Sequence, residues 1–231
     1  MKKFIKYFFL CFLSISILSA PSHAQEDLSQ NYLQRSFFEN QLPYLKEQFG
    51  NKKQIPEAIE MECLVALSFY PQLKDIPITF LFGNTSATMT AQPKLSSFIK
   101  SQDKREYKIT INTSESATNI LKNLSFNALV GWLGHELAHI TQYMEKSNGG
   151  LLLTGFSYLI PGFRKKFERE TDLIAIKHYM GFALYEGVQY TFCCSGASSS
   201  YKAYVHKYYL SPEEIISEIE NYYAEMDAKL N

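Results

Sequence analysis

The run His135-Glu136-Leu137-Ala138-His139 sets two imidazoles four residues apart, with a carboxylate beside the first. Leu129, Trp132, Leu133, Ile140 and Tyr143 recur around it at helical spacing, so residues 126–144 read as a helix. Four residues along a helix is just over one turn, a rise of ~6 Å, so both rings leave one face and can meet on one ion. Glu136 lies a step round the helix, placed to touch a water on that ion rather than the ion itself. Such a helix suits metal-assisted hydrolysis with the Glu as base. Gly131 and Gly134 stand inside it, each costing about 1 kcal/mol relative to Ala. That cost is expected to admit another backbone, or a substrate, at close range.

Two His leave a catalytic zinc incomplete, because such a site takes three protein ligands and keeps one position open. Downstream, in Phe167-Glu168-Arg169-Glu170-Thr171-Asp172, Glu168 and Asp172 are four apart and share a helix face. Glu168 is the expected third ligand, and Asp172 is placed to accept the free ring N–H of a ligand His. Glu170 is the fallback ligand. The bland alternative is a charged, solvated helix end, since Arg164, Lys165, Lys166 and Arg169 surround these acids. The expected cofactor is one Zn2+ ion. Hydrolysis also needs a donor for the oxyanion. His206 is the first candidate, with Tyr204, Tyr208 and Tyr209 behind it, because this stretch lies just before the last helix. His178 is off the Glu168/Asp172 face and reads as a core or surface His.

The two motifs together resemble those of the gluzincin zinc metallopeptidases of the HtpX and CAAX-prenyl-protease type, which share a His-Glu-x-x-His helix and a later Glu-x-x-x-Asp helix. The resemblance extends to residues 84–88 and 108–111, similar to the strands ahead of the family's first motif, whose edge strand binds substrate backbone. It covers residues 76–180. The chain looks more like the soluble periplasmic members than the membrane members. The resemblance implies a zincin-like α+β fold and a zinc-dependent endopeptidase acting on protein or peptide substrates. The alternative is a chaperone-like, client-binding envelope protein that keeps the zinc and cleaves little or nothing.

These side chains must be positioned by the rest of a 231-residue chain, a length that suits one domain. Lys2, Lys3 and Lys6, an apolar run over 7–18 and Ser22-His23-Ala24 read as a signal peptide cut after Ala24. Residues 25–231 are then one metallopeptidase-like domain, periplasmic or secreted. Lys plus Arg and Asp plus Glu both number 23, and there is no basic stripe, which argues against nucleic acid as a partner. Helices are expected over 28–42, ending at Pro43, and from Pro56 to Pro71. Strands are expected at 78–82, 86–91 and 107–111, the last half-buried, with a loop over 93–106. They should form a small, mostly antiparallel sheet packed on the active-site helix and further helices. Helices follow over 164–181 and from the capping box Ser211-Pro212-Glu213-Glu214, with a loop over 191–202.

Three features carry alternatives. Cys63 paired with Cys193 or Cys194 is one arrangement, and three unpaired thiols is the other. The leucine-rich segment 149–163 is either a buried hairpin against the active-site helix or an apolar lip that contacts membrane or an unfolded client. The aromatic share of 15% favours a Tyr- and Phe-rich core and loop surface over an aromatic substrate cleft.

Overall fold

In the computed structural model, which describes residues 28–85, 87–114, 121 and 123–230, helices and one small mixed sheet build an α+β fold. The signal-peptide reading of residues 1–24 lies outside the described residues. Met1–Gln30 and Asn31–Asn231 group as separate units. Apart from the 3-10 turn at Leu28–Asn31, the elements below belong to the second.

The first expected helix is broken up. After a 3-10 turn at Leu28–Asn31 come α1 (Arg35–Glu39) and α2 (Leu42–Phe49). Pro43 sits in the first turn of α2 rather than ending a helix. Its missing N–H costs nothing there, since the first helical N–H groups have no partner inside the helix. After the two-residue strand β1 (Lys53–Gln54), Pro56 precedes a short 3-10 turn and then α3 (Glu60–Ser68). Every residue from Met61 to Leu67 is buried, so α3 is a core helix without a solvent face.

The sheet departs from expectation in order and direction. Strands β2 (Ile78–Gly83), β3 (Met89–Pro93) and β4 (Tyr107–Asn112) join β1 in the order β1-β2-β4-β3. The β1–β2 and β2–β4 pairs are parallel, and only β3–β4 is antiparallel. The turn at Gly83-Asn84 therefore does not make a hairpin, because β4 inserts between the two strands it links. β4 is central and buried on both faces, Thr110 and Asn112 included, rather than half-buried. Asn112 can be polar there because its Nδ2 donates to the carbonyls of Thr85 and Ala87, each at 2.8 Å. The 93–106 segment holds two 3-10 turns and the buried Arg105.

The motif helix α4 (Phe126–Met144) starts at Ser125, whose Oγ accepts the Ala128 N–H at 3.0 Å. It is the hub of the molecule, packed against α3, β3, α6 (Pro161–Lys177) and most extensively α7 (Gly181–Cys193). A Cβ on Gly131 would collide with the Ala183 carbonyl of α7, and one on Gly134 would lie 2.6 Å from Met180 Cε. The motif-helix glycines admit a neighbouring backbone at the first position and a packed Met at the second.

α6 starts three residues earlier than expected and ends four earlier. Its last turn closes with the Met180 N–H on the Ala175 carbonyl (3.0 Å) and the Tyr179 N–H on the Ile176 carbonyl (2.9 Å). Tyr179 takes the left-handed conformation (φ 62°) that Gly usually supplies, so no Gly announced the break. The expected loop 191–202 shrinks, because α8 (Ser199–Tyr208) already starts inside it. The last helix, α9 (Pro212–Leu230), opens on the capping box. The Ser211 N–H donates to Glu214 Oε2 (2.8 Å) and the Glu214 N–H to Ser211 Oγ (3.3 Å).

Two further expectations are corrected. Cys63 is a buried free thiol inside α3, while Cys193 and Cys194 are bonded to each other at the exposed end of α7, so neither Cys63 pairing forms. The 149–163 segment is not a buried hairpin. It is the helix α5 (Asn148–Ser157) and a turn into α6, with only Leu151 and Thr154 of α5 buried. Among the described residues no helix is long and apolar enough to cross a membrane.

Candidate metal centre

The helical spacing of His135 and His139 on α4 delivers what it promised. Both rings point at Glu168 of α6, His135 Nε2 at 3.2 Å and His139 Nε2 at 3.3 Å from Glu168 Oε2. One ligand atom from each of the three residues lies within 4.8 Å of the other two, and all three residues are buried. This group could hold a metal ion. Glu170, the fallback, is on the exposed side of α6, 3.7 Å from Lys166, and takes no part.

The far side of each ring is held. His135 Nδ1 lies 2.8 Å from Asp172 Oδ1, and Asp172 Oδ2 accepts the Leu210 N–H at 2.8 Å. With its proton on Nδ1, the His135 ring would offer the Nε2 lone pair to a metal ion. His139 Nδ1 faces Gln142 Oε1 at 3.2 Å and Thr171 Oγ1 at 3.1 Å. Glu168 Oε1 accepts the Tyr158 hydroxyl, which leaves Oε2 for the cluster. Two imidazoles and a carboxylate, each fixed from behind, converge on one point.

Asp172 and Glu168 favour positive charge at the His135 ring, whether a proton or a metal ion supplies it. Burial alone would push the His135 imidazole down, but Asp172 and Glu168 outweigh it and raise it to about 10. Burial would likewise raise the Glu168 carboxyl, yet the two imidazoles hold it well below the usual range. Glu136 is different. Burial raises its carboxyl against the pull of His139 and His135 and of the Ala91 backbone N–H of β3. Its Oε2 is buried with no hydrogen-bond partner. Such an orphan costs roughly 1–3 kcal/mol, more when charged.

The chain matches no family model, no curated protein and no solved structure.

Beside the cluster stands a wall of tyrosines. The Tyr209 ring is 5.3 Å from the His135 ring and 6.0 Å from Trp132, and Tyr204 lies 6.2 Å from Tyr209. Tyr201 shares a hydrogen bond with Thr88, which precedes β3. Part of the aromatic excess therefore lines the centre rather than only the core and loops. His206 does not reach it. Its side chain is exposed, and its ring meets Phe192 at 6.5 Å. The reason is helical phase: α8 buries Val205 and Tyr208 and turns His206 outward. His178 is structural, stacked on Tyr70 at 4.3 Å with Nδ1 donating to the Phe69 carbonyl at 2.8 Å.

Sequence reading missed Tyr158, Gln142, Thr171 and the Leu210 N–H. Gln142 and Thr171 each carried a local signal, standing three residues after His139 and three after Glu168 on the same helices. Tyr158 and Leu210 come from outside both motifs and had none.

Proposed function

We propose that this chain is a zinc-dependent endopeptidase of zincin-like fold, related to the soluble members of the HtpX and CAAX-prenyl-protease type. The observation that carries the reading is the unpartnered Glu136 Oε2 beside three convergent buried ligands. Zinc bonds of ~2.0–2.2 Å at tetrahedral angles put ligand atoms ~3.3 Å apart. The His135–Glu168 and His139–Glu168 separations of 3.2 and 3.3 Å fit that edge. Three protein ligands with no Cys suit a catalytic site better than a structural one.

Zinc held by His135, His139 and Glu168 would lower the pKa of a bound water to about 7 and polarise a scissile carbonyl. Glu136 takes the proton from the attacking water and passes it to the leaving amine. Its raised pKa suits both duties. β3 is an edge strand of the sheet, and its Ala91 N–H points at Glu136. A peptide added along that edge would pass beside the base. Tyr209, against His135, replaces His206 as the donor for the oxyanion. Tyr158 keeps Glu168 oriented. The N-terminal signal reading puts the protein, and its protein or peptide substrates, in the cell envelope or outside the cell.

Two measurements test the reading. Elemental analysis should find one zinc per wild-type chain, a deficit in His135→Ala and Glu168→Ala, and a full complement in Glu170→Ala. Wild type should cleave an unfolded protein, and Glu136→Gln should keep its zinc and lose cleavage by at least ~100-fold. Equal cleavage by the two proteins overturns the peptidase reading, and zinc retained without cleavage by either leaves the client-binding alternative.

A further inference from the structure

The apolar segment after the motif helix is unusually bare. On α5, Leu152, Leu153 and Phe156 are 53%, 66% and 72% exposed, and Leu159 and Ile160 in the following turn are 73% and 60% exposed. Soluble surfaces rarely group large apolar side chains this way without a partner. Among the described residues, nothing beyond the adjoining backbone lies within 4 Å of where a Cβ would stand at Gly149, Gly155 or Gly162. A second apolar pair is tied to its start. Leu95 and Ile99 are 87% and 90% exposed, and Asn148, the first residue of α5, donates from Nδ2 to the carbonyls of Phe98 and Lys100 at 3.0 and 3.1 Å.

Charge identifies the occupant. From Lys146 to Phe167 the chain has four cationic residues, Lys146, Arg164, Lys165 and Lys166, and no Asp or Glu. Lys165 and Lys166 are exposed in the second turn of α6, after the apolar turn, with Lys166 Nζ 3.7 Å from the exposed Glu170 carboxylate. Arg164 is folded back, its guanidinium 4.6 Å over the Tyr158 ring and its Nε donating to the Tyr158 carbonyl at 3.0 Å. An apolar helix face rimmed by lysines is the pattern of a helix that lies in a membrane interface, with side chains among the acyl chains and cations at anionic headgroups. A ten-residue helix is far too short to span a bilayer and long enough to lie on one. An unfolded client offers no fixed negative charge to the lysine rim.

We propose that α5 and the turn into α6 dock the protein on an anionic lipid surface. The docked face adjoins the metal cluster, since Tyr158, in the same turn, donates to Glu168. Docking thus brings the centre to the bilayer surface, where membrane-proximal polypeptide is presented to it. The inference deepens the peptidase reading but stands without it, because the docking side chains include no metal ligand.

The test is sedimentation of the mature chain with vesicles of phosphatidylcholine mixed with phosphatidylglycerol, and of phosphatidylcholine alone. Binding to the anionic vesicles is expected, weakened by salt and absent or at least about tenfold weaker on the neutral ones. Leu153→Ser with Phe156→Ser should weaken it at least about tenfold, and Lys165→Ala with Lys166→Ala by about twenty-five-fold, near fivefold per cation. All four positions are exposed, so the melting temperatures should match wild type. The lysine variant keeps the test valid if the apolar variant misfolds. Binding should persist in chelator, which separates this result from failure of the metal reading. Three outcomes overturn the proposal: no sedimentation with anionic vesicles, equal sedimentation with both compositions, or variants that bind as wild type does. Capture of a reduced, unfolded polypeptide with vesicles ignored would overturn it in favour of a client surface.

Discussion

Asp172→Asn probes the centre with the smallest change of shape. Asp172 is fully buried and both of its oxygens are in use, Oδ1 toward His135 Nδ1 and Oδ2 toward the Leu210 N–H, each at 2.8 Å. Asn fills the same space with one acceptor oxygen and one NH2 donor. If the oxygen stays on Leu210, the NH2 faces His135 Nδ1 and favours the tautomer with its proton on Nε2. That is the atom aimed at the centre of the cluster, so under the proposed zinc reading the affinity for zinc should fall roughly 10- to 100-fold, about 1.4–2.7 kcal/mol. If instead the oxygen turns to His135, the Leu210 N–H loses its acceptor, at a cost of about 1–3 kcal/mol to the fold. The penalty can move between two readouts but cannot leave both. Zinc affinity is measured by competition with a chromophoric chelator, and the stability of the metal-free protein by urea titration. An unchanged affinity together with an unchanged urea midpoint would falsify the assignment of Asp172 as the residue that orients His135.

Four more outcomes follow from the same geometry. Gly131→Ala forces a methyl into the Ala183 carbonyl, a backbone obstacle that cannot rotate away, so a loss of about 3 kcal/mol and a melting point lower by about 6–12 °C are expected. Gly155→Ala, with open space around it inside α5, should stabilise by up to about 1 kcal/mol, and calorimetry giving both variants the same sign would sink the close-approach argument. Arg105 is 2% exposed and donates to Asn148 Oδ1 (2.7 Å) and to the carbonyls of Tyr143 (3.1 Å) and Lys146 (2.6 Å), so Arg105→Met should cost about 2–4 kcal/mol by urea titration; a loss under 1 kcal/mol would show that those acceptors find other donors. Chelation of wild type should lower the melting point by about 8–16 °C if free zinc stood a thousandfold above its dissociation constant, since that linkage is worth about 4 kcal/mol. An unmoved transition in chelator would mean that no ion had been bound.

The parts of the centre legible in sequence are those set by local geometry. His135 and His139, and then Glu168 and Asp172, are each four apart on a helix, so their shared face follows from the helical repeat without knowledge of the fold. His206 was misplaced because its position just ahead of the last helix does not reveal α8, whose phase turns it outward. Sheet order failed for a different reason. Gly83-Asn84 is a sound turn signal, but a turn does not say whether the strands it joins become neighbours, and here β4 comes between them. Its central position was masked by Thr110 and Asn112, polar residues whose burial depends on partners far from the strand's own pattern. The leucines of α5 misled in the opposite sense. Apolar composition argues for burial only when another surface exists to bury it, and among the described residues none covers Leu153 or Phe156.

What positions the ligands reaches beyond the motif-bearing region. Each ligand helix is fixed by chain from the C-terminal side of residue 180. α7 presses its backbone onto α4 at Gly131 and holds the first helix in place. The second helix is clamped twice: Arg169 makes a paired contact with Glu214 (2.8 and 2.6 Å), and Asp172 receives the Leu210 N–H. Tyr209 then closes against His135 from the same turn. Residues 209–214 thus act on the metal centre through three separate contacts, although no ligand lies among them. A centre tolerates misplacement of well under 1 Å before its chemistry suffers, so the elements that hold α4 and α6 apart at the right distance matter as much as the ligands they carry. The two motifs account for which atoms could bind an ion. The helices after them account for why those atoms meet.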